Sequence, residues 1–362
     1  MKMNMKWHYR MSSIIALAVL ILSCSTTKEK GKSGKVTIIY SGNIGARYDP
    51  CGCRIPLGGL ARRSTLINGI KSVDSDVLVL DTGALIFERH RLYPPYESVS
   101  RMSAHLMVDM LNKIGMDAVN VSAMDLADGP DSLVAYAKLS SWPWLSANVV
   151  KRGTGERLFT PDVMKTVGSL QIGIFGFMDQ KSIGVPFFDD NAPVQVLDPV
   201  ETARSEVDKL RKAGADLLIA LAYMDKDNVE RLLNTVPGIN LLIFGHTKEH
   251  NPSSDQTFIM AYKVKDTIVA RCPDGGRVLG VMRIEMWNGS TQFEDGTMST
   301  DLRPEAVREA EKPENKKSFF TNVFVNLEPS IKRDRAIQDE LDKVGAVIDS
   351  LREELRIESE KK

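Results

Sequence analysis

The sequence predicts an α/β fold on three observations. Short β-branched apolar runs recur from residue 36 to residue 246, amphipathic helix-patterned segments separate them, and glycines stand where those helices should stop. The first run is VTIIY (36–40), followed by a helical segment over 59–71 with apolar Leu60, Leu66 and Ile67. DVLVLDTG (76–83) is the second strand, and the helix over 97–114 ends at Gly115, a residue suited to the left-handed turn that closes a helix. DAVNVS (117–122), a helix over 131–139, WPWLSAN (142–148) and LQIGIFGF (170–177) follow. A helix over 198–213 stops at Gly214, and DLLIALAY (216–223), a helix over 226–235 and INLLIFGH (239–246) complete the alternation. Beyond residue 257 strands come without intervening helices: TFIMAYKVKDTIVARC, RVLGVMRIEMW and FFTNVFVNL. A charged helix near 330–357 closes the chain, with Ile331, Ile337, Leu341, Val344, Ile348, Leu351 and Leu355 at three- and four-residue spacings. Its polar face mixes both charges, which favours a helix laid on the domain or a short coiled-coil seam over a membrane-surface helix.

The 362 residues are 43% hydrophobic and 26% charged, enough apolar material for one large core or two small ones. Lys+Arg and Asp+Glu both number 47, so no overall basic footprint for nucleic acid exists. Residues 1–23 read as a signal peptide: Lys2, Lys6 and Arg10 precede the apolar run IIALAVLIL, too short to span a bilayer as a mature helix. Its end, ILSC, resembles the lipobox of bacterial lipoproteins, which implies lipidation at Cys24 and a polar tether over 24–35. The expected location is the bacterial cell envelope, lipid-anchored and facing the periplasm or the outer surface. Export permits disulfides, and assigning Cys24 to the lipid leaves an odd set, Cys51, Cys53 and Cys272.

Landmarks in order carry a resemblance: VTIIYSGNIG, GGLARRSTLI, VLVLDTG, LNKIGMDAVNVSAMDLADG, WPWLSANV, IGIFGF, ADLLIALAYMDKDNVERLL, VPGINLLIFGHT and DGGRVLGVMRIEM. The chain resembles the calcineurin-like metallophosphoesterases, and among them the 5′-nucleotidase N-terminal domain. That resemblance implies a four-layer α-β-β-α sandwich over residues 36–290, with 291–362 supplying a linker, an extra strand and the C-terminal amphipathic helix. It also implies two metal ions held at strand ends to activate a water against phosphorus. The family's ligand loops are here without most of their ligands. Asn43 and Gly45 occupy the Asp-x-His positions, and Ala84 stands for the bridging Asp. Ala123, Met124 and Asp125 replace Asn-His-Glu, Tyr223 replaces a His, and of Gly-His-x-His only Gly245-His246 survives, with Lys248 in the second His position. Two divalent ions about 3.5–4 Å apart need anionic ligands to offset their repulsion, and Ala84 and Met124 offer none. A di-metal phosphoesterase is therefore not expected.

Under the same resemblance Cys51, Cys53, Cys272 and His246 would gather at the former metal pocket. Three readings stay open. A Cys-Gly-Cys pair can close a small strained ring suited to thiol–disulfide exchange. Three thiolates and an imidazole have the composition of a soft-metal or zinc site, so the cofactor is either none or a thiolate-bound metal ion. A disulfide from Cys272 to Cys51 or Cys53 would instead staple a loop. PCGC followed by LGGLARR also looks like a thiol-bearing branch of the nucleotidase-like proteins. Arg62 and Arg63 read as solvated or paired with carboxylates, Asp81 as a loop cap, and His90 and His105 as exposed or ordinarily packed. The sequence thus points to a membrane-anchored lipoprotein on a degenerate phosphoesterase domain, working as a binding, thiol-redox or metal-handling protein. Its expected partners are the membrane, through the anchor, and an envelope protein. The alternative is a metal-dependent phosphoesterase with reassigned ligands.

Overall fold

A computed structural model describes residues 31–180, 192–245, 261–272, 275–296 and 316–360. Cys24, His246 and Lys248 lie outside the described residues. Two sheets form the centre. In the first, β1 (Gly34–Ser41), β2 (Val77–Asp81), β3 (Ala118–Asn120) and β4 (Trp144–Leu145) run parallel, and β1 pairs antiparallel on its other side with β13 (Val278–Met286). β13 pairs in turn with β15 (Phe319–Asn326), and short β14 (Glu294–Asp295) closes that edge. The second sheet has the order β11 (Tyr262–Val264), β12 (Thr267–Arg271), β10 (Leu241–Gly245), β9 (Leu217–Tyr223), β7 (Leu170–Met178), β6 (Asp162–Val167). A separate antiparallel pair joins β5 (Val149–Lys151) to β8 (Val194–Val196).

Period-two alternation along β1 sorts its side chains between two cores. Val36, Ile38 and Tyr40 face the second sheet, packing with Ile172, Ile174, Ile219 and Ile243, whereas Ile39 faces the helices. Those helices are α1 (Leu60–Val73), α2 (Glu97–Ile114), α3 (Pro130–Leu139) and α6 (Arg335–Glu360), while α4 (Pro199–Lys212) and α5 (Lys226–Thr235) cover the far face of the second sheet. The order is α-β-β-α, as the resemblance implies. Gly115 closes α2 at φ 82° with its amide on the Leu111 carbonyl, and Gly214 follows α4 at φ 89°.

The stretch after residue 290 belongs to the same compact unit as the rest from Lys32 onward. β15 lines β13 along its whole length, and α6 lays Ile337, Leu341 and Ile348 onto the helical layer. Among the described residues no helix is long and apolar enough to cross a membrane.

Candidate functional site

The C-terminal ends of β1, β2, β3 and β9 bring most of the expected ligand positions together, and they are packed with apolar atoms. Ala84, Ala123 and Tyr223 are at most 1% exposed and share one hydrophobic cluster, against which Met124 also packs. Asn43 and Gly45 lie beside them, half-buried, both in left-handed backbone and both donating amides to the loop after β2, at the Gly83 and Ala84 carbonyls. Gly42 and Gly245 matter here for lack of a side chain. A Cβ on Gly42 would sit 2.0 Å from Thr82 Oγ1, and one on Gly245 would sit 2.7 Å from the same oxygen. Thr82 fills that space and donates to Cys272 Sγ at 3.4 Å.

The carboxylates at this end are also engaged. Asp125 is fully buried and accepts from the amides of Ala84 (2.9 Å), Leu85 (2.8 Å), Ile86 (3.1 Å) and Ser122 (3.1 Å), and from the Ser122 hydroxyl (2.7 Å). Burial pushes its carboxyl up, with the Ser122 and backbone hydrogen bonds pulling against it. Asp81 caps its loop as expected, accepting from the Gly83 amide at 2.9 Å. Its other oxygen accepts from Ser41 Oγ at 2.5 Å, and Ser41 accepts from Arg63 Nη2 at 2.5 Å. Burial drives Asp81 up to about 6 even with the Arg63 cation 3.9 Å away. Among the described residues no group of three His, Cys, Asp or Glu side chains is arranged to hold a metal ion. These residues do not fit the di-metal centre that the fold implies.

Both arginines of LARRS are buried, so the solvated reading is corrected. Arg63 meets a carboxylate, but Arg62 donates to carbonyls at Pro56 (2.5 Å), Gly58 (3.2 Å) and Leu327 (3.4 Å). Arg62 thereby braces the cysteine loop from behind. The Cys51 amide bonds to the Leu57 carbonyl at 2.8 Å and Pro50 bridges Gly58, so the loop closes on itself and projects its tip. Among the described residues a Cβ on Gly52 would meet nothing within 4 Å beyond its chain neighbours, and Ile55 is 60% exposed.

Cys51, Cys53 and Cys272 form no disulfide with one another and lie in contrasting environments. Cys53 is exposed, Cys51 half-buried and Cys272 1% exposed behind Thr82. No staple joins them, and they do not by themselves form a three-thiolate metal group. Burial pushes Cys51 up, but hydrogen bonds from the Cys53 side chain and the Cys53 and Leu57 amides, with the Arg277 charge, bring it below its ordinary value. Cys53 moves the other way, chiefly through its hydrogen bond to Cys51. The pair therefore divides into a thiolate-prone Cys51 and a proton-holding Cys53. Arg277 escaped the sequence reading, although a basic residue between Gly275-Gly276 and a strand was a usable signal. His105 packs edge-on to Tyr136 with centroids 5.0 Å apart, and His90 is 9% exposed.

No family model matches the chain. The trifunctional nucleotide phosphoesterase YfkN of Bacillus subtilis is 26% identical over 274 residues, covering 67% of this chain and 19% of that protein. The 2′,3′-cyclic-nucleotide 2′-phosphodiesterase/3′-nucleotidase of Salmonella typhimurium is 25% identical over 271 residues, covering 68% of this chain and 42% of its own. The chain thus spans less than half the length of these curated relatives. The crystal structure of the calcineurin-like phosphoesterase YfkN superposes with a TM-score of 0.65 at 20% identity, covering 90% of this chain and all of the other. The chain's sequence relatives and its structural neighbours are alike calcineurin-like phosphoesterases and 5′-nucleotidases, and the chain shares their fold.

Proposed function

We propose that this chain is an exported, lipid-anchored protein in which the phosphoesterase scaffold no longer hydrolyses phosphate esters and instead carries a reactive dithiol, Cys51 and Cys53. The observation that carries the reading is a contrast within one end of the sheet. Ligand positions Ala84, Ala123, Met124 and Tyr223 are absorbed into a hydrophobic cluster, while an accessible thiol pair stands on a braced loop beside Arg277. In the proposed exchange the Cys51 thiolate attacks a substrate disulfide and one substrate thiolate leaves, taking a proton. Deprotonated Cys53 then attacks the mixed disulfide and releases the second thiol. The substrate disulfide is reduced to two thiols and the protein dithiol is oxidised to a disulfide, so electrons and protons balance.

Purified protein with manganese or zinc should show no hydrolysis of nucleotides or aryl phosphates above background. With glutathione disulfide, Cys53→Ser should accumulate a mixed disulfide at Cys51, detected by mass spectrometry, and Cys51→Ser should accumulate none. A metal-stimulated rate abolished by His246→Ala would favour the second reading, a hydrolase with reassigned ligands, for which the phosphoesterase names of the curated relatives speak. The anchor is tested separately. Cys24→Ser should move the protein from the membrane fraction to the soluble one, and unchanged membrane association would defeat the lipidation reading.

A further inference from the structure

Two guanidinium groups converge beside the thiol loop. The turn at Gly275-Gly276 holds left-handed backbone at φ 72° and 65°, and its lack of side chains lets the two guanidinium groups come close to it. A Cβ on Gly275 would lie 3.0 Å from Arg47 Nη1 and 3.7 Å from Arg277 Nε, so the two cations flank the same glycine. Arg47 is tied on one edge only, through Nη2 to Glu88 Oε1 at 3.0 Å. Arg277 forms no salt bridge within the described structure, and its Nε–H is buried without an acceptor. Its charge acts on both Cys51 and Cys53, and that of Arg47 on Cys53. Arg62, another guanidinium near this loop, is committed to backbone carbonyls. Among the described residues the ion partner of these two cations is Glu88, on Arg47.

A buried N–H donor lacking an acceptor costs roughly 1–3 kcal/mol, and a guanidinium suits planar anions that can accept two parallel hydrogen bonds. The neighbouring thiols say what such an anion would be attached to. We propose that Arg277 and Arg47 form an anion-docking notch, and that the substrate of the dithiol is a disulfide carrying a carboxylate close to its sulfurs. This rests on the dithiol reading above. Docking the carboxylate at Arg277 presents the adjacent S–S bond to Cys51, and the Nε–H gains its missing acceptor. The exchange is the one already balanced, with the carboxylated thiol as leaving group.

The test compares two probes on the folded protein: dianionic 5,5′-dithiobis(2-nitrobenzoate) and uncharged 2,2′-dithiodipyridine. A change in Cys51 thiolate population alters both rates together, so their ratio isolates docking. Arg277→Gln should lower the anionic-to-neutral rate ratio by about tenfold, with a smaller fall for Arg47→Gln, and 1 M salt should largely remove the wild-type preference. Arg277→Lys, which keeps the charge, guards against a folding artefact and should retain most of the ratio. A ratio within twofold of wild type in a folded Arg277→Gln protein overturns the notch, while the dithiol reading stands on the neutral probe. If neither probe reacts at Cys51 in the wild type, the dithiol reading falls and this site falls with it.

Discussion

Arg63→Met should destabilise the protein by about 3–5 kcal/mol at pH 8 and by clearly less at pH 5, read from urea unfolding at the two pH values. Arg63 is 1% exposed and its guanidinium reaches Ser41 and, through it, Asp81, which is wholly buried. Removing the cation strands a carboxylate in the space between sheet and helix, and the cost of an unpaired buried charge dominates. The pH dependence follows from Asp81, raised in the folded state to about 6 from an ordinary value of 3.8, first by burial. A carboxyl raised on folding contributes stability that is fully present below its unfolded value and is lost as pH climbs through its folded value. Between about pH 4 and pH 6 the intact protein should therefore lose roughly 3 kcal/mol from this group alone. Without Arg63 the carboxyl rises further, so at pH 5 it holds its proton and needs no cation. Equal penalties at both pH values would show that Asp81 is not the reason. The double variant Arg63→Met/Asp81→Asn should recover part of the loss at pH 8.

The second large effect is expected at Asp125. Asp125→Ala should cost about 3–5 kcal/mol, because the Leu85, Ile86 and Ser122 amides and the Ser122 hydroxyl lose their acceptor in a place without solvent, while the Ala84 amide keeps Ser122 Oγ. The loop it holds is already constrained, with Ala84 at φ 54°, a region alanine adopts only under external support. Asp125→Asn keeps one acceptor oxygen and should fall between wild type and alanine. Hydrogen exchange at the Leu85 and Ile86 amides should accelerate ahead of global unfolding in both. A loss below 1 kcal/mol for Asp125→Ala would mean that this loop closes without its carboxylate.

Much of this arrangement is legible in the residues, and the gaps have physical causes. Apolar runs such as LLIALAY and glycines such as Gly115 announce strands and helix ends because burial and left-handed backbone each select for residue type. The stretch WPWLSAN contributes only Trp144–Leu145 to the first sheet, since the chain leaves the ladder to reach the β5–β8 pair. β6, DVMKTV, was missed because it lies half-buried at a sheet edge, with no clean alternation. The closing helix begins at Arg335 rather than near 330. Asp334 first gives its amide to the Ala61 carbonyl and then accepts from the Ala336 amide.

At the site, loss of metal ligands could be read because the chemistry demands particular side chains at particular places. Burial of Arg63 was available in the 60, 63, 67 spacing, which puts it on the inward stripe with Leu60 and Ile67. Charge argued against that placement, and the Ser41–Asp81 partners that overrule it lie on other strands. The different depths of Cys53 and Cys272 had no local signal. They are set by Thr82 and Gly42, which reach Cys272 only through the sheet.

The pairing of β1 with β13 bears on how the chain acquires its structure. β1 precedes the other described strands, yet one of its two neighbours is β13, and the Tyr40 hydroxyl finds its Asn322 partner 282 positions later. Until that late segment arrives, one edge of β1 exposes a row of unpaired amides and carbonyls between apolar side chains, a template for pairing with another chain. Closing so long a loop adds little to the equilibrium cost, because loop entropy grows only logarithmically with length, but it postpones the rewarding contacts and slows the search. The cysteine loop shares that delay. Its brace includes the Leu327 carbonyl, at the end of β15, so the thiol pair reaches its final setting only once residue 327 is in place.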